Sequence, residues 1–481
     1  MSTRSKQRVM VVPATAQGHV KPLMLFAHKL AQHGFRITFV HTEFSMERIL
    51  SAMSDDNLKT GTGSENIELV SIPDGLSPED DRTVVRNICR ATLETMSTEL
   101  EKLIRTINGN ITSDIIGEPS ESTSNDKISC LICDVFLGFG MEVAAKMGIQ
   151  GALFCPSSAA ILAYTMNIPK IIHDGIVDDI DGKPTQKQII QLSFDMPGMD
   201  TSTLPWKFDD LPTQKMLFQL YLKIGQALKT TQWCLCNTTQ DIESVAISLF
   251  PKVLPIGPLT VNKTSSHLDI SGSQFWIEDA SCLNWLDQHK PRSVIYVAFG
   301  SFTIHDKCQF NELAHGLELT GRPFLWVVRP GFISSNEQEN KFDPYKFLGN
   351  NNNVRMIVNW APQQKVLNHP SIACFVTHCG WNSTIEGLSN GVPFLCWPYF
   401  ADQFLNKDYI CDIWKIGMEV VPNENGIITR EEVKNQVKRL LDDVDIRKRA
   451  LEFKKIAIEN IAKDGRSSKN LNNFIKWLEL L

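Results

Sequence analysis

Short runs rich in Val, Ile and Phe alternate along this chain with longer amphipathic segments. That alternation confines it to strand–helix–strand units wound about parallel sheets. RVMVVPA (8–14) reads as a strand, HVKPLMLFAHKLAQHG (19–34) as a helix stopped by Gly34, and FRITFVHT (35–42) as the next strand. The cycle repeats in ISCLICDVF, GFGMEVAAKMG and IQGALFCP (128–156). It breaks at PKVLPIGPLTVNKTSSHLDISGS (251–273), where three prolines and a polar tail mark a linker. Beyond it SVIYVAFGS, PFLWVVRP, VRMIVNW and ACFVTHCG are strands, with SCLNWLDQ and FNELAHGLELTG as helices between them. Thr429 with Glu432 three positions later signals a capping box for a helix over TREEVKNQVKRLLDD. The expected fold class is α/β, with one doubly wound parallel-sheet domain over 1–250, a linker over 251–275, a second such domain over 276–460 and a closing helix over 461–481. A chain of 481 residues exceeds one ordinary core, which agrees with two domains. The polar stretch 108–127 reads as a surface loop.

Composition removes several function classes. A net charge of −6 gives no basic field for a polyanion, so nucleic acid is not an expected partner. The apolar run Val9–Val12 is too short for a secretion signal and no stretch reaches the length of a membrane span, so neither export nor membrane insertion is expected. The twelve cysteines are too sparse for a disulfide scaffold and mostly sit in apolar runs, as in a reducing cytoplasm. Cys130-x-x-Cys133 has no second Cys or His pair to complete a zinc site, and no metal is expected. The glycine fingerprint of dinucleotide binding, the phosphate loop with lysine and the Gly-x-Ser-x-Gly elbow are all missing.

Doubly wound sheets bind ligands at the carboxyl ends of their strands, and two such domains can face one another across a cleft. In the first domain Gly18 and His19 follow a strand, and Asp134 stands where another strand runs out. His19 reads either as an exposed or helix-capping histidine or as a base; Asp134 reads either as a cap for the next helix or as the carboxylate that orients that base. In the second domain AFGSFT, with Ser301, and THCGWNSTIEGL are strand-end loops. Asn382, Ser383 and Thr384 fall where a helix starts and read either as a plain N-cap or as part of an anion site.

The segment Trp360 to Gln403, WAPQQKVLNHPSIACFVTHCGWNSTIEGLSNGVPFLCWPYFADQ, resembles the signature box of plant uridine-diphosphate-sugar-dependent glycosyltransferases acting on small molecules, at full length and without gaps. Ala16-Gln-Gly-His19 and the overall length extend the likeness to the whole chain. The resemblance implies the GT-B fold of two Rossmann-like domains facing a cleft, with acceptor held mainly by the first, donor by the second, and a final helix packing back on the first. It implies Trp360 as the aromatic under uracil, Gln363 and the Ala361 backbone at the base, and Glu386 at the ribose. His378, Asn382, Ser383 and Ser301 fall on the diphosphate, and Trp381, Asp402 and Gln403 on the sugar. His19 matches the base and Asp134 its supporting carboxylate.

The implied reaction moves glucose from UDP-glucose, a co-substrate rather than a cofactor, to a hydroxyl of a small hydrophobic metabolite of flavonoid or phenylpropanoid type, with inversion and without a metal. Carbon, nitrogen or carboxylate attack and a terpenoid or steroid acceptor stay open; outside the enzymes the alternative is a nucleotide-sugar or small-ligand sensor. A monomer is expected. One departure from the family is Phe154-Cys-Pro-Ser-Ser158, where many relatives carry an aromatic followed by Ser or Thr against the sugar; Ser157 is the candidate here.

Overall fold

The computed structural model of the protein describes residues 7–53, 64–82, 84–109, 127–259, 272–332, 349 and 352–481. Most of the expected surface loop (110–126) and the middle of the expected linker (260–271) lie outside the described residues. Two compact units form: Met1–Ile190, Asp200–Phe275 and Asn460–Leu481 make the first, and Gln191–Met199 with Trp276–Glu459 the second.

The first unit is built on strands β1 (Arg8–Val12), β2 (Arg36–Thr42), β3 (Ile67–Ile72), β4 (Ile128–Asp134) and β5 (Gln150–Cys155). After the two-residue strands β6 (Ile189–Ile190) and β7 (Met199–Asp200), β8 (Trp233–Cys236) and β9 (Val253–Pro255) complete its sheet. The order is β3-β2-β1-β4-β5-β8-β9, with every neighbouring pair parallel. Winding reverses at β1: one crossover leads out to β2, and the chain returns to lay β4 on β1's other side, with Val12 beside Cys133. Buried Val, Ile, Leu and Cys fill both faces of the inner strands β1, β4 and β5, which is why these read as continuous apolar runs. Cys130 and Cys133 are part of that filling, and burial pushes both thiols well above their ordinary range. The helix Arg466–Leu478 belongs to this unit. Its Phe474 and Trp477 pack on Trp233, Phe474 also approaches Phe26, and Asn470 Nδ2 donates to the Pro255 carbonyl at 2.8 Å.

The second unit repeats the plan with β10 (Val294–Ala298), β11 (Phe324–Val327), β12 (Arg355–Val358), β13 (Ile372–Thr377), β14 (Phe394–Cys396) and β15 (Gly417–Glu419). Its order is β12-β11-β10-β13-β14-β15, all parallel, and here winding reverses between β10 and β13, with Ala298 beside Thr377. Phe310 of the helix Lys307–Leu319 stacks on Trp326 of β11 at 4.7 Å inside the core. Thr429 caps its helix as expected, accepting from Glu432 N, but the Glu432 carboxylate turns away to the Val421 N–H and the Gln436 amide. Only the threonine half of the box is made as the pattern predicts, because a tertiary donor competes for the other half. No helix among the described residues is long and apolar enough to cross a membrane.

One buried carboxylate braces the first sheet. After β5, Ser158 Oγ caps the helix Ala159–His173 by accepting from Ile161 N, and Glu243 accepts from Ala159 N and Ala160 N at 2.9 and 3.0 Å. Burial dominates over these donors and lifts the Glu243 pKa from 4.5 to about 7. A raised folded-state pKa means that folding favours the protonated acid, so this group's contribution is fully present below about pH 4.5 and is lost as pH rises through 7. Compared by urea unfolding, the wild type is expected to lose about 3 kcal/mol more than Glu243→Gln between pH 4.5 and 7.5, and the difference should then level off.

Candidate active site

In the first unit the winding reversal brings together the ends of β1 and β4. Helix Gln17–Gln32 starts five residues after a β1 end pinned between two neighbours, and its first turn carries His19. Gln17 anchors this turn: its amide donates to the Ser273 carbonyl at 2.7 Å and accepts from Phe275 N at 2.8 Å. Asp134, the last residue of β4, is fully buried. Its Oδ1 accepts from Phe136 N at 2.9 Å, and its Oδ2 lies 2.7 Å from His19 Nδ1. One oxygen of Asp134 therefore caps the following turn, and the other faces the His19 imidazole. A carboxylate only accepts, so the proton sits on His19 Nδ1 and Nε2 is the basic nitrogen. The edge of Phe136 meets the His19 ring at 5.0 Å, and the buried Tyr221 and Trp206 pack behind Phe136. Ser158 is buried in its capping role while Ser157 is partly exposed on the turn after β5.

In the second unit the reversal pairs the loop after β10 with the loop after β13. Gly300 has φ +68°, and a Cβ there would fall 2.5 Å from His378 Nε2; a Cβ on Gly380 would do the same. The imidazole is thus wedged between two glycines. Burial pushes its pKa down to about 4 against a smaller opposing effect of the Ala298 backbone, so it is neutral at pH 7. Cys379 follows in the left-handed region, φ +65°, a conformation that costs a non-glycine residue about 1 kcal/mol or more. Its carbonyl is held by Asn406 Nδ2 at 2.9 Å, and Asn406 also donates to Asp402 Oδ2 at 3.0 Å. Ser301 sits one residue beyond Gly300, on a turn that Arg329 steadies by donating to the Thr303 carbonyl at 2.7 Å.

The helix Trp381–Asn390 begins directly after that strained turn. Its N-cap is Gly380, and Asn382, Ser383 and Thr384 lie inside the first turn, so the plain N-cap reading of Asn-Ser-Thr does not hold. First-turn N–H groups have no acceptor within their own helix, and with the helix dipole they favour an anion. Two residues are placed differently from the expectation. The Trp381 indole is buried near Trp414, so its outward contribution is its backbone at the helix start. The Ser383 hydroxyl accepts from Gln363 Nε2 at 3.0 Å, which turns it toward the Glu386 end of the site.

Glu386, nearly fully buried, has each oxygen met by a neutral amide: Gln363 Nε2 on Oε2 at 2.8 Å and Gln364 Nε2 on Oε1 at 3.0 Å. Tyr296 of β10 donates to Gln363 Oε1 at 3.1 Å. Trp360 lies just ahead, stacked on Trp276, and Ala361 is buried beside it in sequence. Gln403 is also buried, its Oε1 accepting from Tyr399 N and Phe400 N at 2.8 and 3.1 Å, so that its NH2 end is the donor. All eleven residues expected on the donor side lie in the second unit, while His19 and Asp134 meet in the first. Sequence reading missed Gln364, Asn406, Tyr296, Arg329 and Trp276. Only Asn406 carried a signal, its spacing of four from Asp402 on a helix. Among the described residues no group of three or more His, Cys, Asp or Glu is arranged to hold a metal. The glycine cradle is open to test: Gly300→Ala combines a strained φ with a clash against His378 and should cost about 1–3 kcal/mol in urea unfolding.

Comparison with known proteins agrees with the fold. The family model described as UDP-glucoronosyl and UDP-glucosyl transferase matches residues 238–480. UDP-glycosyltransferase 83A1 of Arabidopsis thaliana is 42% identical over 98% of this chain and 97% of its own. The 7-deoxyloganetin glucosyltransferase of Catharanthus roseus is 34% identical over the same shares. Among solved structures, a UDP-glucosyltransferase from Polygonum tinctorium capable of glucosylating indoxyl, in complex with 3,4-dichloroaniline, superimposes with a TM-score of 0.77 at 25% identity, covering 99% of this chain and 100% of that one. With two parallel sheets of this plan and relatives matching along almost its entire length, the chain belongs to the plant UDP-glycosyltransferases, enzymes that glycosylate small molecules.

Proposed function

We propose that the protein transfers glucose from UDP-glucose to a hydroxyl group of a small, largely apolar plant metabolite, with inversion at the anomeric carbon. The observation that carries this reading is the His19 Nδ1 to Asp134 Oδ2 contact at 2.7 Å, at the winding reversal of its sheet. In the proposed reaction the acceptor hydroxyl gives its proton to His19 Nε2 as its oxygen attacks the anomeric carbon from the side opposite the diphosphate. Asp134 holds the ring in the right tautomer and stabilises the imidazolium that forms. A phenol of pKa about 10 is not far mismatched to an imidazole of about 6.5, so the proton can move as the new bond forms. The leaving diphosphate is received by the start of helix Trp381–Asn390 with Ser301 and neutral His378. Trp360, Ala361 and Gln363 take the uracil and Glu386 the ribose. Asp402 and the Gln403 NH2 take the sugar, with Ser157 as the candidate from the first unit.

The acceptor is proposed to be a flavonoid- or phenylpropanoid-like phenol, in keeping with the partly exposed Phe136 ring against His19. A second reading is a terpenoid alcohol, supported by the relative named for 7-deoxyloganetin. Action as a monomer in the cytoplasm completes the proposal.

Incubation with UDP-glucose and a panel of flavonoids, simple phenols and 7-deoxyloganetin, read by mass spectrometry, decides among them. A hexose gained on a phenol supports the first reading and one gained only on 7-deoxyloganetin the second. UDP-glucose binding with no acceptor glycosylated would favour the sensor. His19→Ala is expected to lower kcat by about 10²- to 10⁴-fold while leaving UDP-glucose affinity unchanged in calorimetry; undiminished turnover would remove His19 as the base.

A further inference from the structure

The stack beneath Trp360 points to a residue with no role in the reading so far. Trp276 lies 84 positions ahead of Trp360 in the sequence and outside the signature segment. Its indole packs on that of Trp360 with centroids 4.6 Å apart and planes 26° from parallel. The pairing is anchored through the main chain, since Asp279 N donates to the Trp360 carbonyl at 2.9 Å. Asp279 in turn accepts from Ser281 N at 2.9 Å, at the start of the helix Ser281–Leu286. Both tryptophans are only partly buried, so the pair lies toward the surface of its unit rather than in its core.

We propose that Trp276 is a positioning residue for the donor: it backs Trp360 and so pre-orients the indole on which the nucleobase stacks. The inference rests on the assignment of Trp360 to uracil. An indole has two π faces, and Trp276 takes one of them, so a base must stack on the other and complete a three-ring sandwich. A tryptophan side chain at a partly exposed position loses rotamer freedom when a flat ligand settles on it. With Trp276 already against its back, that ordering is complete before the donor arrives, and affinity gains accordingly. The effect belongs to binding of the nucleotide end and is the same in ground and transition states, so it appears in KM for the donor and not in kcat.

The experiment measures steady-state kinetics and calorimetric UDP-glucose binding for Trp276→Leu, Trp276→Phe, Trp360→Ala and the double variant Trp276→Leu with Trp360→Ala. Leucine and phenylalanine keep apolar bulk, so both variants fold even if alanine would not, and thermal unfolding checks this. Trp276→Leu should raise KM for UDP-glucose about three- to tenfold with kcat within about twofold, and Trp276→Phe, which restores a π face, should recover most of the loss. In the double variant the Trp276 change should add nothing to the loss caused by Trp360→Ala, because Trp276 acts only through that ring. Losses that add in the double variant, or a KM that falls on removing Trp276, would overturn the proposal; the latter result would place Trp276 where the base belongs. The two levels separate cleanly: unchanged donor affinity in Trp360→Ala removes the uracil assignment itself, whereas weakened affinity there with no effect of Trp276→Leu removes only the backing role.

Discussion

A right-handed crossover can leave a parallel strand toward either side of the sheet, and where successive crossovers leave toward opposite sides the loops above the strands must part. This chain meets that constraint twice, at β1 with β4 and at β10 with β13. The His19–Asp134 contact and the His378 cradle gather at those two partings. His19 and Asp134 come off one pair of strand ends; Ser301, His378 and the start of helix Trp381–Asn390 come off the other. Strands buried on both faces and pinned by neighbours on both sides make rigid pedestals, so a contact of 2.7 Å between residues 115 apart in sequence can be set by sheet register alone.

The donor-side site is built largely from neutral partners. Glu386 is satisfied by two carboxamides, His378 is held uncharged, and the anion-favouring field comes from a helix start. In the proposed function the diphosphate is received by oriented dipoles, which do not have to shed a tightly bound counter-ion before the ligand enters. The left-handed Cys379 is the local strain that aims this helix, and the Asn406 amide, bonded to the Cys379 carbonyl, keeps the turn from relaxing.

The fold was legible because each strand is a short apolar run and each helix has a clear stop, such as the left-handed Gly34 and Gly148. The signature segment was legible as a block. What the sequence hid is long-range and polar. Gln364 looks like any exposed helix glutamine until Glu386, 22 residues on, is seen to need a second donor. Arg329 finds a backbone carbonyl 26 residues away, and Trp276 is one tryptophan among ten until it lies against Trp360. The same blindness explains Glu432, whose expected local bond yields to a tertiary one, and Trp381, which the resemblance put on the sugar and whose indole packs near Trp414. Patterns in sequence register the backbone's local choices, whereas the partner of a buried polar group is selected by the fold.

The placement of the last helix bears on the order in which the molecule can be completed during synthesis. Phe474 and Trp477 close over Trp233 in the first unit, yet they leave the ribosome after every residue of the second. The amino-terminal sheet therefore waits with an apolar face uncovered while the later sheet, whose strands all lie between residues 294 and 419, already has its full complement. In this chain the part made first is finished last.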